Sequence, residues 1–283
     1  MPHGSIRIGD VEIVAVCDGV VNASESVVAS FPLVPKERWP ALLEQHAETV
    51  SADGRWRLHV HAFVVRSDGR TILFDAGIGP ATAPAFAWSG TEGTLLDELA
   101  AAGVGLPHVD LVVISHVHDD HLGWLATDAG GPRFPNARFV VNGADLDALR
   151  SGDEEDHELY EATLAPLERA GVLDVCDERL RLGATLELVR AAGHTPGHQV
   201  LVVDDGDAHA IVSADTTNHP ALVEDASWSG TSDADPDLAA AARAELLDLA
   251  ERDARIWITS HFAMPFTRIV SEGGRRMAVA LEA

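Results

Sequence analysis

The sequence predicts an α/β layered fold, and three observations carry that prediction. Apolar runs rich in β-branched residues recur along the chain and end in short polar turns. Stretches of helical periodicity lie between them. No short-period repeat or low-complexity linker interrupts the pattern. The candidate strands are residues 6–16, 59–65, 71–74, 111–115, 138–141, 185–191, 199–203, 208–213 and 255–259. Helical spacing of apolar residues predicts helices over 94–102, 143–150, 157–170 and 238–252. The last follows Asp235-Pro236-Asp237, a helix start signal. Two long connections stand out. Residues 22–58 contain Pro32, Pro35 and Pro40; residues 217–237 are polar and surround Trp228. Each is read as an active-site cover segment or a surface loop, because long connections in compact domains are often functional. The chain, 1–283, reads as a single domain.

Composition narrows the function. The 283 residues carry 20 Lys and Arg against 45 Asp and Glu, a net charge of −25. That balance argues against binding nucleic acid or an anionic membrane, since both need basic patches. Apolar residues make up 46 %, too many for a disordered chain. The two cysteines, Cys17 and Cys176, exclude a framework of several disulfides. Their apolar, strand-like surroundings predict buried free thiols. No signal-peptide pattern and no run long enough to span a bilayer is seen, so the expected compartment is cytoplasmic. The odd figure is 14 histidines.

Four histidine- or aspartate-bearing strand ends explain part of that excess. The run 111–115 leads into His116-Val-His118-Asp119-Asp120-His121, an HxHxDH pattern. Residues two apart in extended chain point to one side, so His116 and His118 can reach one metal. The turn that follows lets Asp120 and His121 serve a second centre. Likewise 188–192 runs into Gly193-His194-Thr195-Pro196-Gly197-His198, the strand before Ser213 into Asp215, and the strand before Ser260 into His261. Strand ends are where ligands gather in α/β sheets.

With FDAG (74–77), HVHDDH (116–121), GHTPGH (193–198), SAD (213–215) and TSH (259–261), the chain resembles the metallo-β-lactamase superfamily, within it the acyl homoserine lactone lactonase and methyl parathion hydrolase-like group. The resemblance runs from about residue 59 onward. It implies an αββα sandwich, with His116, His118 and His194 on a first metal and Asp120, His121 and His261 on a second. Asp215 would bridge the two, and Asp75 would orient the HxHxDH turn. Asp120 and Asp215 are the catalytic carboxylates of this reading. His198 is not a ligand in the family and is read as a supporting residue. Nitrogen and carboxylate donors without thiolate suit two Zn²⁺; Fe²⁺, Mn²⁺ or Co²⁺ suit them as well. Two such ions lower the pKa of a shared water and supply hydroxide at neutral pH.

The expected reaction is hydrolysis of a lactone or carboxylic ester by attack of a metal-bridging hydroxide. Several alternatives fit less well. His118 stands where the oxygen-reducing flavoproteins of the superfamily carry a carboxylate. Only 22 residues follow His261, too few for the helical domain of glyoxalase II-type thioesterases. The main class B β-lactamases lack the bridging Asp. Aryl ester or phosphotriester hydrolysis, β-lactam hydrolysis and a catalytically idle metal- or ligand-binding protein remain as alternatives. Quorum-quenching lactonases place a tyrosine where this chain has Asn218. Trp88, Trp124, Asn218, His219, Trp228, Phe262 and Phe266 are the candidate pocket residues, because small-molecule sites are mostly apolar with a few polar anchors. His59 and His61 alternate on one strand and are read as packing or pocket lining. The expected partner is a small, apolar substrate; a homodimer is the expectation the family carries.

Overall fold

The computed structural model describes residues 4–281. Fourteen strands form two seven-stranded sheets, each ordered as the chain runs. The first holds β1 (Ser5–Ile8), β2 (Val11–Ser26), β3 (Arg55–Ser67), β4 (Arg70–Phe74), β5 (Leu111–Val113), β6 (Arg138–Asn142) and β7 (Leu173–Cys176). The second holds β8 (Arg179–Arg181), β9 (Leu186–Arg190), β10 (Gln199–Asp205), β11 (Ala208–Ala214), β12 (Ile256–Thr259), β13 (Phe266–Glu272) and β14 (Arg275–Ala280). Parallel pairing is confined to β4–β7 in the first sheet and to β11 with β12 in the second. In the first sheet helices supply two of these crossovers, as parallel strands require.

Side-chain alternation explains why the sheets stack. Ile13, Ala15, Phe63, Val65, Ile72 and Phe74 face Leu186, Leu188, Leu201, Val203 and Val212 across the inter-sheet core. Their neighbours Val14, Val16, Ala62, Val64 and Leu73 point the other way, onto Leu95, Leu99, Leu146 and Leu149 of the outer helices. On the far side Val200, Ile211 and Trp257 pack against Leu246, Leu247 and Ala250 of helix Pro236–Arg252. Both sheets are therefore covered on both faces, which gives the αββα sandwich.

Two sequence expectations need correction. The run 6–16 is two strands, because Gly9, at φ +59°, and Asp10 close a two-residue hairpin with Ile8 opposite Val11. The predicted helix 157–170 is two helices, Glu154–Thr163 and Ala165–Arg169, broken just ahead of Pro166, whose ring and missing N–H interrupt the ladder. The segment 22–58 is strand at both ends; its non-strand part runs from 27 to 54. Cys17 and Cys176 are both free thiols, Cys176 buried and Cys17 partly so.

Candidate metal centre

Strand ends from both sheets meet at one edge of the sandwich. Asp75 follows β4, His116–His121 follow β5, His194 follows β9, Asp215 follows β11 and His261 follows β12. Apart from His118 and Asp119, half-buried at the mouth of the site, these side chains are buried. Donor atoms of His116, His118 and His194 lie within 4.8 Å of one another; so do those of His116, His121 and Asp215, and those of Asp120, His121 and His261. The structure thus brings all seven sequence-predicted ligands into one contiguous cluster.

The hydrogen-bond pattern tests whether metal fits. Ser115 Oγ donates to Asp75 Oδ2 at 2.8 Å, so it accepts from His116 Nδ1 at 2.9 Å. His194 Nδ1 donates to Asp233 Oδ1 at 2.8 Å. In the neutral form of both rings Nε2 is then a lone pair, and both Nε2 atoms lie 3.0 Å from His118 Nδ1. That atom carries one proton at most and cannot satisfy both. The second half repeats the pattern. His121 Nδ1 donates to Asp75 Oδ2 at 2.8 Å, and His261 Nδ1 donates to the His59 carbonyl at 2.7 Å. His121 Nε2 and Asp215 Oδ1 are buried without a hydrogen-bond partner. Ring nitrogens tied on one side and converging on the other are what metal-ligating histidines show. The residues fit divalent metal.

Electrostatics agree. Burial and the neighbouring imidazoles push His118 down to about 3 and His116 well below its ordinary value, so these rings are neutral. Burial opposes charge on His121 and His194 too. The carboxylates of Asp120, Asp75 and Asp215 nevertheless lift His121 to about 10, and Asp215 with Asp233 lifts His194 to about 9. Asp215, despite its burial, is held well below the carboxylate range by His261 and His121. The protein alone thus draws positive charge into the cluster.

Local strain and close packing aim the ligands. Asp75 sits at φ +66° and Ala214 at φ +44°, conformations that L-residues rarely adopt. Asp75 also accepts from the Ser115 N–H at 2.7 Å, which ties both carboxylate oxygens to the HxHxDH segment. His198 accepts from the Asp215 N–H at 3.2 Å while its Nδ1 contacts the Ala191 carbonyl at 3.1 Å. Gly193 has φ +134°, and a Cβ there would lie 2.1 Å from the Ala239 nitrogen, so only glycine lets the His194 turn reach helix Pro236–Arg252.

A cleft of about 200 Å³ opens onto His118, Asp120, Asp215 and His261. Its other walls are Ala23, Trp56, Leu58, Trp88, Asp119, Asn218 and Ser232. A larger cleft of about 370 Å³, beside Pro80, Thr127 and Arg169, contains none of the clustered ligands. Of the candidate pocket residues, Trp88 and Asn218 line the metal-side cleft. Trp88 Nε1 donates to Asp119 Oδ2 at 2.8 Å; burial and the nearby Asp120 push Asp119 up to about 6. Trp124 instead donates its indole N–H to Asp18 at 3.1 Å, away from the cleft. His219 is buried against Phe31 and Trp39, and Trp228 belongs to the same apolar cluster. Phe262 lines a separate cleft with His46 and Met264, and Phe266 lies in the inter-sheet core.

Sequence reasoning missed several residues. Asp233 orients His194 and is itself held by Arg243, whose Nη2 is 3.1 Å from Asp233 Oδ2. Asp145 accepts from Thr195 Oγ1 and the Gly197 N–H. Asp18 accepts from the Ile78 N–H at 2.7 Å and the Leu95 N–H. Nothing local marks any of these carboxylates; their role exists only once distant segments meet.

Two face-to-face sheets with a histidine–aspartate cluster at their shared edge define the class of αββα metal-dependent hydrolases. A profile of the metallo-beta-lactamase superfamily matches residues 55–261, and the chain belongs to that superfamily. No curated protein matches it by sequence. Among solved structures it is similar to AidC, described as a dizinc quorum-quenching lactonase in complex with a product, N-hexanoyl-L-homoserine: 20 % identity, TM-score 0.86, 99 % of this chain and 98 % of that one. It is similar to a hydrolase of the beta lactamase superfamily, AbOPH, at 20 % identity and TM-score 0.84, over 99 % and 98 % of the two chains. A probable metal-dependent hydrolase from Staphylococcus aureus matches at 18 % identity and TM-score 0.83, over 98 % and 99 %. At these identities the likeness establishes the fold.

Proposed function

We propose that this chain hydrolyses a lactone or carboxylic ester at a centre of two divalent metal ions, zinc by preference. The observation that carries the reading is the set of imidazole nitrogens left converging on one another and on Asp215 once His116, His121, His194 and His261 are each anchored by their other nitrogen. His116, His118 and His194 would hold one ion, Asp120, His121 and His261 the other, and Asp215 both. When bound, such ions supply Lewis acidity and a hydroxide nucleophile at neutral pH.

The chain's own residues do the rest. Trp56, Leu58 and Ala23 wall the cleft and exclude water from the apolar part of the substrate. Asn218 lines the cleft with its Oδ1 unpartnered, so it would accept from an N–H or O–H of the substrate. Asp120 faces the cleft and is placed to pass a proton to the leaving alkoxide. The segments 22–58 and 217–237 would form one cover, since Val27, Phe31, Trp39 and Leu42 share an apolar cluster with Leu222 and Trp228. The product described for AidC is an acyl homoserine, which supports the lactone reading. Two indoles, Trp56 and Trp88, facing one cleft favour an aryl ester as the second reading.

Metal analysis with a panel of lactones, aryl esters, phosphotriesters and β-lactams tests this. The expected result is two transition-metal ions per chain, fastest turnover on a lactone or ester, and loss of turnover in His118→Ala. Protein that holds no metal, with His118→Ala unchanged, would overturn the mechanism. A phosphotriester cleaved far faster than every lactone and ester would overturn the substrate class.

A further inference from the structure

A second cluster of metal-type donors lies on neighbouring strands. Cys17 of β2 and His59 and His61 of β3 each bring one donor atom to within 4.8 Å of the others. The sequence alone suggests packing or pocket lining for the two histidines; the register adds the thiol. Cys17 lies opposite His61 in the antiparallel pairing, and His59 is two residues from His61 on the same face. The pairing slips between Cys17 and Gly19, and Cys17 Sγ lies 4.0 Å from His59 Nδ1. The two imidazoles stack with centroids 5.7 Å apart and planes 6° from parallel.

The bonding around the three is that of a site. His61 Nδ1 meets the Ser260 carbonyl at 3.0 Å, which makes Nδ1 the donor and leaves Nε2 a lone pair. The thiol proton is turned to the Gly19 carbonyl at 3.4 Å. His59 and His61 are buried, while Cys17 is partly exposed. None of the three is needed by the hydrolytic chemistry.

We propose that Cys17, His59 and His61 form a separate binding site for one divalent transition-metal ion of the zinc class, with the fourth position left to water. One thiolate and two imidazoles suit Zn²⁺ or Co²⁺ and do not suit the hard ions Mg²⁺ or Ca²⁺. Binding breaks the Cys17 S–H bond, forms the sulfur–metal bond and releases one proton to solvent, with no change of oxidation state. The site is distinct from the dinuclear cluster but touches it through the backbone. The His61 N–H donates to the Ser260 carbonyl at 3.0 Å, and His261 Nδ1 donates to the His59 carbonyl at 2.7 Å. An ion here would clamp β3 directly behind His261.

The dinuclear ligand set contains no thiolate, which separates the two centres spectroscopically. Co²⁺ added to the full-length protein is expected to give a near-ultraviolet thiolate-to-cobalt charge-transfer band that saturates at one ion per chain. Cys17→Ser abolishes the band and retains hydrolysis; Cys176→Ser retains the band. His61→Gln weakens the Co²⁺ affinity behind it by at least about 10-fold. In the unmutated protein Zn²⁺ slows alkylation of Cys17, read by peptide mass spectrometry, a measurement that needs no variant to fold. Absence of the band in the unmutated protein, its survival in Cys17→Ser, or alkylation of Cys17 at the same rate with and without Zn²⁺ would each overturn the proposal. Failure of the dinuclear reading would show differently, as loss of the thiolate-free ions and of turnover with this band intact.

Discussion

The first sheet delivers His116, His118, Asp120 and His121 from one turn after β5, whereas the second delivers His194, Asp215 and His261 from three separate strand ends. The two regions are held by different means. The turn is bound by one buried carboxylate, Asp75, which contacts His121, Ser115 Oγ and the Ser115 N–H. The three strand ends depend on residues far from them in sequence. Asp233 and Arg243 hold His194, and His198 holds the Asp215 backbone. Half the site is built locally, and the other half exists only when the C-terminal half of the fold is complete.

Arg243→Met should break the second region hardest. Arg243 is 1 % exposed, and besides Asp233 its guanidinium donates to the Thr216, Ala226 and Trp228 carbonyls. Its loss leaves the buried Asp233 carboxylate with His194 as its remaining partner, at about 3–5 kcal/mol. A fall of that size in unfolding free energy, with the metal bound through His194 lost first, is the expected outcome of denaturant titration with metal analysis. An unchanged unfolding midpoint would mean that the strand ends are not held this way.

Asp75→Asn and Asp233→Asn sharpen the comparison. Each removes the acceptor that fixes a ligand imidazole, a loss of about 10–100-fold in metal affinity or activity. Asp75 serves the turn at three points and Asp233 serves one ligand, so Asp75→Asn is expected at the upper end and Asp233→Asn at the lower. Competition with a chelator measures both. The reverse order would show the turn to be the less dependent region.

The smallest effect concerns the apolar cluster that Phe31 and Trp39 share with Leu222 and Trp228. His219 is buried, with Nε2 3.0 Å from Thr49 Oγ1, and burial with His46 nearby pushes it from 6.5 down to about 3. The unfolded chain therefore takes up a proton that the folded chain refuses. Stability is complete above 6.5 and falls as pH drops from 6.5 toward 3, by about 1.4 kcal/mol per pH unit. His219→Gln should flatten that part of the slope between about pH 7 and about pH 5 in urea unfolding. An identical slope in the variant would show that His219 is solvated in the native state.

Legibility in the sequence followed the same divide. The candidate ligands could be read because motif spacing and strand ends are local properties, and the interior strands other than β13 because both their faces are apolar. β8 and β14 could not: Arg179–Arg181 and Arg275-Arg276 put charge on half-exposed edge strands, which leaves no alternation to see. The cleft was harder still. Closeness in sequence to the ligands pointed to Trp124, Phe262 and Phe266, yet Trp124 turns to Asp18 and Phe266 into the inter-sheet core. Trp56 and Leu58, which do line it, come from the start of β3, long before the first ligand.

The apolar cluster shared by residues 22–58 and 217–237 joins parts of the chain that are far apart in sequence. Thr49 and His219 are 170 residues apart and meet only across that cluster. The six-residue turn needs only the N-terminal sheet, whereas the outer wall of the cleft needs nearly the whole chain. Contacts of such long separation close late, because their loop entropy must be met first. A nascent chain thus acquires the His116–His121 half of the cluster before His194, Asp215 and His261 can join it.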